Sequence, residues 1–280
     1  MTLVTTEWLG ERLGQDDIRI ADASWYLPEA KRNAHAEYEQ RHIPGSVFFD
    51  IDAISDSANS LPHMLPEPAL FSAAMRRLGI GDSDFVVFYD GAGIYSAPRA
   101  LWMLRAMGHE RVAVLDGGLP KWLREQRPVD SSISAPVGRS YFTACYSPEL
   151  VRDFAAMRDN LRARAEQIVD ARSPGRFRGE EPEPRAGVRP GHIPGAVNVH
   201  YAKLVNPDGT LRSASELRQI FAEQSVALDR PVVTTCGSGI TAAIVALALE
   251  RAGAKQIALY DGSWTEWGGR AEAPVATGAA

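Results

Sequence analysis

The sequence predicts a two-domain α/β protein, each domain a parallel-sheet core flanked by helices, and three observations lead there. The chain has 280 residues, more than one ordinary core and suited to two domains of roughly 150 residues. A set of ordered blocks occurs twice. Asp22–Trp25 (DASW), Arg41–Asp50 (RHIPGSVFFD), Phe85–Gly108 and Val114–Trp122 (VLDGGLPKW) return as Asp170–Ser173 (DARS), Gly191–His200 (GHIPGAVNVH), Pro231–Gly253 and Leu259–Trp267 (LYDGSWTEW), each 145 to 150 residues later. The order is kept and the spacing drifts only as loop insertions would make it, which is the mark of a duplicated domain. Within each copy, strand-like and helix-like segments alternate, and such alternation implies a parallel sheet covered by helices.

The elements of the second copy follow in order. Gln167–Asp170 is a short apolar strand, Pro231–Cys236 a β-branched strand, Ile240–Arg251 an Ala- and Leu-rich helix stopped at Gly253, and Gln256–Tyr260 another strand. Residues 1–125 form the first domain and 149–280 the second. Between them, 126–148, with Ser131, Ser132, Ser134, Pro136 and Gly138, reads as a linker. The small, polar tail Gly268–Ala280 is expected to fray.

Composition removes several classes of function. A net charge of -5 argues against a general nucleic-acid or membrane-surface binder, which carries a basic excess. The longest apolar run, Ala242–Leu249, falls far short of the roughly 20 residues of a membrane span. The start, MTLVTTEWLGERLGQDD, has neither the basic end nor the apolar block of a secretory signal. Two cysteines, Cys145 and Cys236, make no disulfide framework and suit a reducing cytoplasm. Without CxxC spacing they imply no zinc site, and with no Walker or GxGxxG pattern after a strand, no nucleotide cofactor is expected.

The chemistry concentrates at Cys236. It ends a strand, is followed by Gly237, Ser238 and Gly239, and precedes a helix starting at Ile240 or Thr241. Ligands of open α/β sheets sit at the carboxyl ends of strands. A glycine-rich turn entering a helix aims backbone N–H groups and the positive helix end at one point, which stabilises a thiolate nucleophile. The equivalent residue of the first copy is Asp90, in DGAGIYSAPR, so that copy keeps the fold without the sulfur chemistry. Cys145 has no such surroundings and reads as a bystander. His42 and His192, both in HIPG, hold equivalent repeat positions, which points to a structural job in the turn.

These blocks resemble the rhodanese-like sulfurtransferases, specifically the two-domain mercaptopyruvate branch, over about Thr6 to Trp267. The most specific part is CGSGITA, Cys236–Ala242, beside the family's CGSGVTA. The thiosulfate branch carries Arg and Lys where this chain has Gly237 and Ser238. The phosphatase branch needs Arg after five intervening residues, where this chain has Ala242. The resemblance implies a sulfurtransferase that needs no cofactor or metal. It takes sulfur from 3-mercaptopyruvate onto a Cys236 persulfide, releases pyruvate, and passes the sulfur to thioredoxin, a small thiol or cyanide. Arg176 and Arg185, in the segment Ala171–His192, match the family's substrate arginines. Guanidinium forks suit a 2-oxo acid carboxylate. Arg172, Arg178 and Arg189 keep the plain reading of a solvated surface. Asp52 and His63 match an Asp and a His that the family pairs with the loop serine, here Ser238. Gly237, Gly239, Ile240, Thr241 and, in the first copy, Tyr95 match positions lining the site. A thiosulfate sulfurtransferase and a non-catalytic persulfide carrier are the alternatives.

Overall fold

The computed structural model describes residues 1–132 and 141–279; Ser134, Pro136 and Gly138 of the expected linker lie outside them. The chain divides into two units. Unit 1 comprises Met1–Ala58, Leu65–Ser147 and Asn206–Leu211, and unit 2 comprises Asn59–Met64, Pro148–Val205 and Arg212–Ala280.

Unit 1 is built on a five-stranded sheet. Its strands are β1 (Leu3–Val4), β2 (Ile18–Asp22), β3 (Val47–Phe48), β4 (Phe85–Tyr89) and β5 (Val112–Leu115), in the order β1-β5-β4-β2-β3. Unit 2 repeats it with β6 (Val151–Arg152), β7 (Gln167–Asp170), β8 (Val197–Asn198), β9 (Val232–Thr235) and β10 (Ile257–Tyr260), in the order β6-β10-β9-β7-β8. Every pairing is parallel. All residues of β5 and β9 are buried, which is why they read as unbroken apolar or β-branched runs rather than as an alternation.

Helices cover both sheets. In unit 1 they are α1 (Thr6–Gly10), α2 (Ala34–Gln40), α3 (Ile51–Ile54), α4 (Pro68–Arg77), α5 (Ala97–Ala106) and α6 (Gly118–Arg124). In unit 2 they are α7 (Phe154–Ala163), α8 (Pro174–Arg178), α9 (Ala214–Glu223), α10 (Ile240–Ala252) and α11 (Ser263–Gly269). Helix α10 buries nine of its 13 residues, so its all-round apolar sequence marks a core helix and not an amphipathic surface one.

The repeat runs past the blocks that announced it. Trp122 Nε1 donates to Pro128 O at 2.7 Å, and Trp267 Nε1 to Pro274 O at 2.8 Å. His42 pairs by an antiparallel bridge with Asp130, and His192 with Ala276. Each histidine is buried and stacks on a ring of its own unit, His42 on Tyr38 and His192 on Phe177. Each has Nδ1 against that residue's carbonyl. A carbonyl oxygen only accepts, so Nδ1 carries the proton in both. The HIPG histidines therefore plug their turns.

Two expectations change. The tail does not fray. Ala273 is 3% exposed, Arg189 Nη2 donates to Ala273 O at 2.8 Å, and Gly278 N to Arg178 O at 2.9 Å. The expected linker is, where described, fixed to unit 1: Phe142 is 1% exposed, and its carbonyl takes two hydrogen bonds from Arg76.

The two copies answer the same buried carboxylate differently. Asp170 meets Arg172, whereas Asp22 meets Ser24 and, in place of a cation, a cluster of hydroxyls. Burial raises the Asp22 pKa to about 6, only partly offset by its hydrogen bonds. A folded-state value above the ordinary 3.8 means the folded chain binds more protons in that window. This group's contribution is therefore fully present below about pH 4 and lost as pH rises through 6. Two pKa units correspond to about 3 kcal/mol. Asp22→Asn keeps the acceptor for Ser24 N and should raise stability at pH 8 by roughly 1–3 kcal/mol while changing little at pH 4. Melting curves of both proteins at pH 4, 6 and 8 check this; a variant weakened most at pH 8 would contradict it.

Candidate active site

The candidate site of unit 2 grows from the carboxyl end of β9. Cys236 follows Thr235 directly and is 2% exposed. Gly239 caps α10 with φ +84°, a left-handed conformation that glycine adopts without strain. That turn brings Gly239 N–H to 3.1 Å from Cys236 Sγ. Ile240 is buried and Thr241 half-buried in the first turn of α10.

Helix α11 clamps the loop from behind. Trp264 N donates to Cys236 O at 2.9 Å, Thr265 N to Gly237 O at 2.9 Å and Thr265 Oγ1 to the same oxygen at 2.6 Å. Cys236 N donates to Ser263 Oγ at 3.3 Å. In unit 1 the corresponding residues are Gly118, Leu119 and Pro120, which supply only Leu119 N to Asp90 O at 3.1 Å. Ser263 and Thr265 were missed in the sequence, where LYDGSWTEW served only as a repeat marker. The signal was there: the catalytic copy has Ser and Thr where the other has Gly and Pro.

Unit 1 shows what such a loop binds. The Asp90 side chain is fully buried. Its Oδ2 accepts from Tyr95 N at 2.8 Å, Ser96 N at 3.0 Å and Ala97 N at 2.9 Å, and its Oδ1 from Ala92 N at 2.9 Å. Four converging N–H groups make an anion cradle, and in this copy the chain's own carboxylate fills it. Tyr95 is half-buried in that loop and Asp52 lies on α3, where its Oδ2 accepts from Trp25 Nε1 at 3.0 Å.

His63, in Asn59–Met64 of unit 2, reaches the cysteine loop. It is 6% exposed with φ +61°, and its Nδ1 lies 3.2 Å from Ser238 O. The acceptor is a carbonyl, so Nδ1 carries the hydrogen and Nε2 is the acceptor of the neutral ring. His63 and Ser238 are thus in contact through the Ser238 carbonyl.

The arginine loop is sorted by burial. Ser173 accepts from Arg176 N at the start of α8, and one turn carries the Arg176 guanidinium over the cysteine loop. A Cβ placed on Gly237 would lie 3.1 Å from Arg176 Nη2. Arg185 is half-buried and lines a cavity of about 550 Å³ with Asn59, Leu61, Val188 and Thr265. Arg178 pairs with Glu180 at the surface. Arg172 corrects its plain reading. It is 2% exposed, holds Asp170 at 2.6 Å and Glu183 at 2.8 Å, and stacks on Trp264 with 4.4 Å to the ring centroid. Burial works against its charge, but the two carboxylates more than offset this and raise its pKa. Arg189 is likewise no surface residue; it donates to Gly268 O and Ala273 O.

The rhodanese-like domain family matches residues 5–125 and again 152–270. The chain belongs to the rhodanese family. It is similar to human 3-mercaptopyruvate sulfurtransferase, 46% identical over 95% of this chain and 91% of that one. It is also similar to rat thiosulfate sulfurtransferase, 42% identical over 96% and 92%. The crystal structure of the Escherichia coli 3-mercaptopyruvate sulfotransferase SseA superposes with a TM-score of 0.86 at 41% identity, covering 94% of this chain and 99% of that chain. Both halves of this rhodanese-family chain are thus matched, the half with cysteine at the loop and the half with Asp90. Among the described residues, no helix is long and apolar enough to cross a membrane.

Proposed function

We propose that the chain is a 3-mercaptopyruvate sulfurtransferase. The observation that carries the reading is Cys236 Sγ at 3.1 Å from Gly239 N–H, in a loop whose Gly237 lies against the guanidinium of Arg176. Arg176 and Arg185 take the donor carboxylate. The Cys236 thiolate attacks the donor sulfur, the carbon–sulfur bond breaks, and its electron pair passes to the carbon as the enolate of pyruvate, which then takes a proton. The outer sulfur of the Cys236 persulfide rests as an anion against the backbone N–H groups of residues 237–241. Unit 1 supports that step, because its equivalent loop already holds an anion by four N–H groups. An acceptor thiol, of a thioredoxin or a small molecule, or cyanide, removes the outer sulfur and restores Cys236, so catalysis is ping-pong. His63, whose Nδ1 meets Ser238 O, stands beside the loop to assist delivery of the proton that the enolate takes. The roles that the family resemblance implies for Asp52, beside His63 and Ser238, and for Tyr95, as a residue lining the site, are kept as part of this proposal. Two thiols outside any disulfide fit a reducing compartment, and a cytoplasmic location goes with this reading.

Identity alone does not choose the donor, since relatives named for either donor match at 46% and 42%. The loop does. Gly237 and Ser238 bring no cation of their own to a dianionic donor. A donor panel tests this: kcat/KM for 3-mercaptopyruvate should exceed that for thiosulfate by about 10-fold or more, with one pyruvate formed per sulfur transferred. A preference for thiosulfate would give the donor to the other branch. No turnover from mercaptopyruvate alone would leave only a persulfide carrier.

A further inference from the structure

The cysteine loop of unit 2 and its counterpart in unit 1 are held in different ways. In unit 1 the anion holds the loop from within: Asp90 Oδ1 takes Ala92 N at 2.9 Å, and Oδ2 takes the N–H groups of Tyr95, Ser96 and Ala97. Among the described residues, Gly91 O accepts only from Arg32 Nη2, at 3.4 Å. In unit 2 helix α11 holds the loop from outside. The first N–H groups of a helix have no partner within it, and two of them close on the loop, Trp264 N on Cys236 O and Thr265 N on Gly237 O, both at 2.9 Å. Thr265 Oγ1 adds a third bond, to Gly237 O at 2.6 Å.

Two hydrogen bonds from one residue thus fix the direction of the Gly237 carbonyl. No peptide bond among the described residues is cis, and in a planar trans peptide the C=O and the N–H point opposite ways. Holding Gly237 O toward α11 therefore turns Ser238 N–H away from α11 and into the loop. Its counterpart in unit 1 is Ala92 N–H, a member of the cradle around Asp90. The residue matching Thr265 there is Pro120, which has neither an N–H nor a hydroxyl to give. The difference follows from the anion. The Asp90 carboxylate belongs to the chain and never leaves its cradle. The outer sulfur of unit 2 arrives and departs in every cycle, so the N–H groups there must keep their aim while the cradle is empty.

We propose that Thr265 is a positioning residue for sulfur transfer, whose hydroxyl and N–H hold the Gly237–Ser238 peptide so that Ser238 N–H is aimed at the anionic sulfur borne by Cys236. It touches neither donor nor sulfur and acts through the Gly237 carbonyl. The inference rests on the sulfurtransferase reading above.

The test uses the full chain and follows the pyruvate released from 3-mercaptopyruvate. Thr265→Val removes the hydroxyl at nearly constant shape and keeps the N–H. The rate of persulfide formation at saturating donor should fall about 5- to 20-fold with KM within about twofold, because the loss falls on the charged sulfur and not on donor capture. Thr265→Ser restores the hydroxyl and should bring the rate back to within about threefold of the parent. Thr265→Pro copies unit 1, removes both donors and should cost about 100-fold. Iodoacetamide alkylation of Cys236 at pH 7, in a Cys145→Ser background, needs no sulfur donor and should slow about 3- to 10-fold in Thr265→Val, since the thiolate is the reactive form. Parent-like rates of both reactions in Thr265→Val would overturn the proposal, and so would equal losses in Thr265→Val and Thr265→Ser, which would reduce the residue to packing. Should Thr265→Pro not fold, the other two variants decide alone. Wild-type protein that is alkylated at Cys236 yet transfers no sulfur from mercaptopyruvate or thiosulfate would instead overturn the sulfurtransferase reading.

Discussion

Cys236→Ser removes sulfur transfer, with a loss on the order of 10⁴-fold or more, because a neutral hydroxyl replaces the one group able to accept the sulfur. The substitution is nearly isosteric, and the loop is held by its backbone. Trp264 N, Thr265 N and the Thr265 hydroxyl bind the carbonyls of residues 236 and 237 and ignore the side chain. The variant should therefore melt within about 1 °C of the parent, the shift that a few tenths of a kcal/mol produces, and still bind pyruvate. Cys145 is exposed, and its backbone N–H is fixed to Met107 O, so Cys145→Ser should transfer sulfur normally. Intact mass after exposure to donor should show one added sulfur, mapped to Cys236 by peptide analysis. Sulfur found on Cys145 would overturn the assignment.

The second large effect separates arginines that look alike in the sequence. Arg172→Ala leaves the buried Asp170 and Glu183 carboxylates without their shared cation, and breaking one side of a buried ion pair costs about 3–5 kcal/mol. At 2–4 °C per kcal/mol for a domain pair of this size, the melting temperature should fall by about 10 °C. Arg176→Ala and Arg185→Ala should leave melting nearly unchanged and cost about 10- to 100-fold in kcat/KM, the worth of a charge-assisted hydrogen bond to a carboxylate. Arg178→Ala removes only a surface pair with Glu180 and should change neither. Thermal melts and donor kinetics on the four variants check the pattern. Equal losses of activity in all four, with equal losses of stability, would mean that the loop simply collapses.

The sequence carried the parts of this protein that are written in contiguous residues. Duplication was visible because four blocks recur in order, and alternation of strand and helix because periodicity is local. The cysteine turn was visible because strand, glycine and helix adjoin within Thr235–Thr241. A left-handed φ at Gly239 and a helix entered immediately afterwards are consequences of neighbours, so no distant contact was needed to foresee them.

Tertiary structure decided what depends on distant partners. Arg172 and Arg178 stand six residues apart in one polar loop. Only the first packs on Trp264, far along the chain, and closes on Asp170 and Glu183. His63 lies among first-copy residues in sequence but packs with unit 2, where it meets the Ser238 carbonyl. The tail is plain in composition and ordered in fact, because His192 and Trp267 supply the partners for its backbone. Asp90 turned out to fill its cradle instead of merely lacking sulfur. In each case the deciding quantity was desolvation. A charged or polar group taken out of water must be answered by a specific partner, and which partner reaches it is settled by packing and not by neighbouring letters.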